Sequence, residues 1–343
     1  MVKQSEDSKD NTTAVNQPKV AIIILNWNGW KNTVECLESL YQNDYSSFTV
    51  ILVDNGSKDD SVKKIQEYTL GKLTFDSTFF EYNHESKPIK VIKRAEDIKY
   101  IQELLLIENP MNYGFSAGTN IGLQIAKKQQ ADYALLLNND IVVDKHFLSA
   151  LIFEAEKNPQ IGIAGPTIYH YNQPTTIDFA GENLNLWRVK GKEYTQSSKL
   201  PRFVDKIEGS CMLIRKNVLE KIGFLYTKYW AYWEETDLCF RAKKAGFKIV
   251  YIPNSSVWHK VASSIGGEDN LRRQYYLNRN RILFARRNLD WSTQAKFLLY
   301  FYGFELWLKV VVELKHHTIE GAFMWLNAGF DGLRMYLDPR NAP

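Results

Sequence analysis

Cysteine is sparse. The 343 residues hold three, Cys36, Cys211 and Cys239, far apart and none in a CxxC pair. That excludes a disulfide framework and a cysteine-based zinc knuckle and suits a reducing compartment. The three read as small core residues. No run of 18 or more uncharged apolar residues occurs, so no ordinary membrane-spanning helix is expected. An excess of one charge is also missing. Lys and Arg number 43 against 39 Asp and Glu, a net +4, too balanced for nucleic acid as the main partner. No GxGxxG follows the first strand and no Walker Lys-Ser/Thr occurs, which excludes the dinucleotide fingerprint and the P-loop. Residues 1–17 are polar, with no apolar stretch, and read as a disordered leader and not a signal peptide.

What is present builds a core: 45% of the residues are hydrophobic, which excludes bulk disorder. Residues 20–25 and 48–53 are continuous apolar runs, each a buried strand, and 31–42 and 59–69 carry helical spacing. After a mixed stretch over 70–103, read as an insertion with a candidate strand at 89–92, strands are expected at 104–107 and 133–137. A helix over 116–129 lies between them, and Asp144 caps a helix over 145–157. This alternation predicts a mainly parallel sheet with helices on both faces. Beyond it come a strand at 161–166, turn-rich segments over 168–206 and a helix over 216–222. A helix then opens at 234–237, a strand covers 247–253, and helices run from 268 to about 337.

Four strands run into ends rich in Asn, Asp and Gly: Asn26-Trp27-Asn28, Asp54-Asn55-Gly56, Asn112-Tyr113-Gly114 and Asn138-Asn139-Asp140. Turn chemistry explains any one of them. Four at consecutive strand ends point to a nucleotide site, because open parallel sheets bind ligands at the carboxyl ends of their strands. Asp54 could accept a hydrogen bond from a base N–H. Asp140 could hold Mg²⁺ or Mn²⁺ against a pyrophosphate, since hard oxygen ligands suit those ions. Glu234, Glu235 and Asp237 fall in the first turn of a helix, where acids suit the dipole. Three in four residues exceed what capping needs, however, and packed carboxylates repel, which raises at least one pKa toward that of a general base. His259 gains meaning only if it completes a metal site with Asp140. Residues 263–267 read as a mobile lid.

The succession resembles the family-2 glycosyltransferases of GT-A fold, especially their rhamnosyltransferase-like branch. Its carriers are ILNWNG at 24–29, VDNGS at 53–57, NYGFSAG at 112–118, LNND at 137–140, EGSCMLIR at 208–215, WEETDLCFRA at 233–242, VWH at 257–259 and YLNRNR at 276–281. Each is weak alone; eight in the right order over about 20–290 are specific. The resemblance implies an α/β GT-A domain over 18–290, with a nucleotide-binding half at 18–160 and an acceptor-binding half at 161–290. A helical extension covers 291–343. It implies inverting transfer from a UDP-, dTDP- or GDP-sugar to a hydroxyl of a glycan or lipid-linked acceptor in cell-surface polysaccharide or glycoconjugate synthesis. Asn26, Trp27, Asn28, Asp54, Asn55, Asn112, Gly114, Asn138 and Asn139 would meet the donor. Asp140 and His259 would hold Mg²⁺ or Mn²⁺, and the base would come from Glu235, Glu234 and Asp237. In this chain Asn138 replaces the first Asp of the family's Asp-x-Asp motif. Glu235 replaces an Asp and adds one methylene, about 1.5 Å, so the choice among the three acids stays open.

Two other functions compete. A sugar-1-phosphate nucleotidyltransferase wants a Gly-rich, Arg/Lys-bearing loop after strand one, which 26–29 does not supply. A non-catalytic glycan-binding scaffold would keep the fold without the chemistry. Over 297–314 the chain is nearly all apolar, with Glu305, Lys309 and Glu313 four residues apart on one helix face. Those charges argue against spanning a bilayer. The expectation is either peripheral contact of 296–337 with the inner face of the cell membrane, in a cytoplasmic enzyme, or packing into the catalytic domain or a partner subunit. A homo-oligomer is left open.

Overall fold

The structure is a computed structural model that describes residues 17–260, 271–316 and 318–341. The lid at 263–267, and the leader except its last residue, lie outside the described residues. The first half alternates strand and helix: β1 (Val20–Asn26), α1 (Trp30–Tyr41), β2 (Phe48–Asp54), α2 (Ser61–Thr69), β3 (Val91–Ile92), β4 (Glu103–Glu108), α3 (Phe115–Lys128), β5 (Tyr133–Asn138), β6 (Ile141–Val143) and α4 (Phe147–Glu156). The second half carries β7 (Ile161–His170), β8 (Gln173–Phe179), β9 (Glu182–Asn185), β10 (Lys190–Glu193), β11 (Arg202–Phe203) and β12 (Cys211–Arg215). It continues with α5 (Lys216–Ile222), α6 (Glu234–Lys244) and β13 (Lys248–His259), and ends in α7 (Leu271–Asn288), α8 (Trp291–Tyr300), α9 (Leu306–Lys315) and α10 (Ile319–Leu337).

The large sheet has the order β11-β13-β7-β12-β5-β1-β2-β4-β3, with β6 paired to β13 and β8 to β7. From β3 to β5 all pairs are parallel; β12 runs antiparallel to both its neighbours. Each face is covered, as the apolar runs predicted. Val20, Ile22 and Ile24 pack with Val34 and Leu37 of α1 and Leu151 of α4. Ala21 and Ile23 pack on the other side with Leu123 of α3 and Leu238 of α6. The three cysteines are buried free thiols within these layers. Helices α7 to α10 surround a third core that includes Phe284, Phe297, Phe301 and Trp325.

Several local expectations change. The strand at 247–253 and the VWH string are one strand, because a register shift between Ile252 and Ser256 absorbs Pro253. Asp144 does not cap α4. Its Oδ1 accepts the His146 N–H at 2.8 Å in the preceding turn, and the helix begins at Phe147. The charged face of the C-terminal helices is turned inward. A π-helical turn over Phe301–Glu305 separates α8 from α9. Within it Glu305 is buried against the Arg281 guanidinium at 3.0 Å. The outward side is apolar instead: Phe304, Trp307, Leu308, Val311, Val312 and Leu314 are exposed. Among the described residues no helix is long and apolar enough to cross a membrane.

Candidate active site

Parallel register brings the strand ends to one edge. Asn26 lies opposite Asp54, Leu25 opposite Asn138, and Asp54 opposite Glu108. The chain leaves β1 toward β2 on one side, while β5 lies on the other, which makes this edge a topological switch point.

The ends of β1, β2 and β5 form a hydrogen-bonded polar floor. Asn26 is fully buried, and its Nδ2 donates to Asp54 Oδ1 at 2.7 Å. Ser57 donates its hydroxyl to the same oxygen at 2.6 Å and its N–H to Oδ2 at 2.9 Å. Thr33 donates to Asn26 Oδ1 at 2.8 Å, and Asn139 Nδ2 donates to Thr33 Oγ1 at 3.0 Å. Ser57 and Thr33 were not singled out in the sequence, where both look like ordinary turn and helix residues. Asn55 is buried and ties the neighbouring loop: it donates to Asn112 Oδ1 at 3.0 Å and to the Gly114 carbonyl at 3.2 Å. Gly114 has φ +82°, and a Cβ there would stand 2.7 Å from the Trp230 ring. Trp27 and Asn28 are exposed above this floor, and Asn138 and Asn139 are half-buried beside it.

The metal-binding expectation depends on a long-range pairing. β6 runs antiparallel to the end of β13, with Ile141 opposite His259, and the Lys260 N–H donates to the Asp140 carbonyl at 3.0 Å. His259 Nε2 thereby lies 3.4 Å from Asp140 Oδ1, with both residues buried. On its other side Nδ1 lies 3.9 Å from Glu208 Oε1. Asp178, Glu208 and His259 bring their ligand atoms within 4.8 Å of one another. Burial works against a charged imidazole, but Asp140, Glu208 and Asp178 outweigh it and hold the His259 pKa up to about 9. Burial pushes the Glu208 carboxyl up to about 7, against the pull of His259. Asp178 and Glu208 were missed as site residues; only the register of β8 and β12 against the sheet brings them here.

The three acids of α6 occupy unequal places. Asp237 is fully buried and accepts from Arg241 Nε at 2.6 Å, Asn288 Nδ2 at 2.8 Å and Tyr229 OH at 3.2 Å. Glu234 is buried, and its Oε2 has no hydrogen-bond partner among the described residues. Burial and the adjacent Glu235 push its carboxyl well above the usual range. Glu235 is half-buried, 3.3 Å from Lys206 Nζ, which also pairs with Glu182 at 2.8 Å. The two acidic regions meet across two residues. Glu208 lies beside His259, and a Cβ on Gly209 would stand 3.3 Å from Glu235 Cβ.

Two family models match: "Glycosyltransferase like family 2" over residues 82–277 and "Glycosyl transferase family 2" over 21–97. A low-salt glycan biosynthesis hexosyltransferase, Agl10 of Haloferax volcanii, is 25% identical over 61% of this chain and 65% of its own. An N-acetylglucosaminyl-diphospho-decaprenol L-rhamnosyltransferase of Mycobacterium tuberculosis is 26% identical over 47% of this chain and 57% of its own. The chain thus spans under two thirds of the length of these relatives. Among solved structures, GalNAc-T7 with UDP, GalNAc and Mn²⁺ superposes with a TM-score of 0.61 at 16% identity, over 84% of this chain and 51% of that one. The mixed, mostly parallel sheet with its flanking helices is the GT-A glycosyltransferase fold.

Proposed function

The chain belongs to the family-2 glycosyltransferases, and we propose that it is an inverting transferase dependent on a divalent cation. A sugar passes from a UDP-, dTDP- or GDP-sugar to a hydroxyl of a glycan or lipid-linked acceptor, in cell-surface polysaccharide or glycoconjugate synthesis. One observation carries the reading: Asp140 and His259 meet at the ligand edge, and Glu208 and Gly209 bridge from His259 to Glu235. The names of the two relatives, one from glycan biosynthesis and one with a decaprenol-linked acceptor, support the acceptor class.

The donor set fits a hard divalent ion. A carboxylate oxygen and an imidazole nitrogen stand 3.4 Å apart, and two ligands each about 2.1 Å from one ion sit roughly 3 Å from each other. Mg²⁺ or Mn²⁺ held there would neutralise charge on the departing nucleoside diphosphate. Asp54 Oδ2 accepts one protein hydrogen bond, from Ser57 N–H, which leaves a lone pair for a base N–H. Asn26 holds Asp54 in place, and Asn55 holds the Asn112 to Gly114 turn. Trp27, Asn28, Asn112, Gly114, Asn138 and Asn139 line the donor. Glu235 takes the proton of the acceptor hydroxyl, whose oxygen then attacks the anomeric carbon opposite the leaving group. Lys206 holds that carboxylate in an ion pair. Glu234 is buried, and Asp237 is committed to Arg241 and Arg287.

The outward apolar side of α8 to α10 supports peripheral contact with the inner face of the cell membrane. Trp307, Leu308, Val311 and Phe323 are exposed there, with exposed Lys296, Lys315 and Arg334 on the same helices. The test of the enzymatic reading is a screen of UDP-, GDP- and dTDP-sugars with Mn²⁺ or with EDTA, the product's anomeric configuration being read by NMR. Transfer with inversion that EDTA abolishes is expected. Retention of configuration, or no transfer from any donor, would overturn it.

A further inference from the structure

The YLNRNR string at 276–281 takes no part in the chemistry above, yet it holds the segment that leads into the acids. Between Tyr229 and Glu234 the backbone passes through three left-handed residues that are not glycine: Trp230 (φ +67°), Tyr232 (φ +68°) and Trp233 (φ +77°). Bulky side chains meet steric strain in that region, and such residues persist only where their surroundings over-determine them.

The surroundings here are largely one side chain. Asn280 of α7 is fully buried, and its Nδ2 lies 2.9 Å from the Tyr229 carbonyl, 2.9 Å from that of Ala231 and 2.8 Å from that of Tyr232. Its neighbour orients it: Arg279 Nε donates to Asn280 Oδ1 at 2.9 Å, and Arg279 Nη2 donates to the Tyr229 carbonyl at 2.8 Å. From the donor side, the Trp230 carbonyl accepts the Phe115 N–H at 2.8 Å and the Ser116 N–H at 3.2 Å, while its ring fills the space that Gly114 leaves. Trp233 is the residue from which α6 starts. The dihedral angles of 230–233 therefore set where the first turn of α6, and Glu235 with it, points.

We propose that Asn280 is a positioning residue, clamping 229–232 in the left-handed course that delivers the Glu235 carboxylate to the cleft. This rests on Glu235 being the base. An asparagine is suited to the task because its NH₂ reaches several carbonyls while its oxygen accepts from Arg279; an Asp of the same size offers no N–H.

The full-length chain carrying Asn280→Ala or Asn280→Asp tests it through two readouts. Amide exchange of 226–236 is expected to rise about tenfold or more, with that of 20–54 unchanged, since a local clamp opens only its own segment. Turnover, measured with whichever donor the wild type uses, is expected to fall about twentyfold or more through misplacement of the base. Binding of UDP, GDP and dTDP with Mn²⁺ should fall much less than turnover, because Asn26, Asp54 and Asn55 lie at the ends of β1 and β2 and only the Gly114 turn touches Trp230. Adding Tyr232→Gly to Asn280→Ala should restore part of the turnover, because glycine takes a positive φ without strain. Unchanged exchange over 226–236 overturns the clamp. A loosened segment with full turnover, a parallel loss of nucleotide binding, or no recovery with Tyr232→Gly overturns the positioning role. If the wild type transfers from no donor, the assignment of the base fails and this inference fails with it; the exchange readout separates that failure from failure of the clamp.

Discussion

At the residue scale the acids of α6 are told apart by what surrounds them. Glu235→Gln is expected to lower kcat by about 10²-fold or more, the usual worth of a general base, with nucleoside diphosphate affinity unchanged by calorimetry. Near-normal turnover would move the role to Glu208 or Glu234. Asp237→Asn should act on stability, because it leaves Arg241 and Arg287 beside a neutral side chain in a closed site. Breaking a buried pair costs about 3–5 kcal/mol, read as a lowered urea midpoint. Asp140→Asn should remove the Mn²⁺-dependent rise in Tm and, because it takes the carboxylate from the buried His259 imidazole, also lower Tm in EDTA. Such roles were only half legible. Asn26, Asp54 and Asp140 stood out because they end apolar strands. Thr33, Ser57, Asp178 and Glu208 did not, because their roles depend on which strands adjoin.

At the scale of elements, the join between α7 and the π-helical turn decides how the C-terminal helices sit. Arg281 pairs with Glu305 and donates to the Arg188 carbonyl at 2.7 Å and the Val189 carbonyl at 3.0 Å. Burial alone would raise the Glu305 carboxyl, but Arg281 and Lys190 outweigh it and hold it below its ordinary 4.5. A carboxylate whose pKa is depressed on folding contributes stability that is complete above its unfolded pKa and is lost as pH falls through the folded one. The wild type should therefore lose Tm as pH drops below about 4.5 partly through this pair. Glu305→Gln should be less stable near neutrality by about 3 kcal/mol and lose less on acidification, as Tm measured across that range would register. The four-residue spacing of Glu305, Lys309 and Glu313 correctly placed them on one face. It could not say which way the face turns, because the buried partner Arg281 lies 24 residues away.

Across the whole molecule, the C-terminal helices are both packed and exposed. Their inner side shares a core with Tyr229 and Phe284, so removing 291–343 would uncover apolar surface on α7 and confuse any binding assay. Substituting the outer side is cleaner. The triple variant Trp307→Gln, Val311→Gln and Phe323→Gln should fold with unchanged Tm and lose flotation with anionic liposomes, each lost aromatic or aliphatic contact weakening insertion by about 1–3 kcal/mol. Equal flotation of the variant and the wild type would count against membrane contact and leave a protein partner for that face.

The sequence by itself determined the parallel half of the sheet, since uninterrupted apolar runs bounded by Asn and Asp admit few alternatives to buried strands. It also placed the Asn- and Asp-rich loops at one edge, because parallel strands all point the same way. Only the tertiary structure decided what these loops meet. Pairing of β6 with β13 set His259 against Asp140, a contact across 119 positions that no local pattern encodes. Packing of α7 under the segment at 229–233 gave Asn280 its three carbonyls, and the inward turn of Glu305 left the apolar side of 297–314 facing outward, an orientation that spacing alone leaves open. Each depends on contacts between chain segments distant in sequence, which helical and strand periodicity do not record.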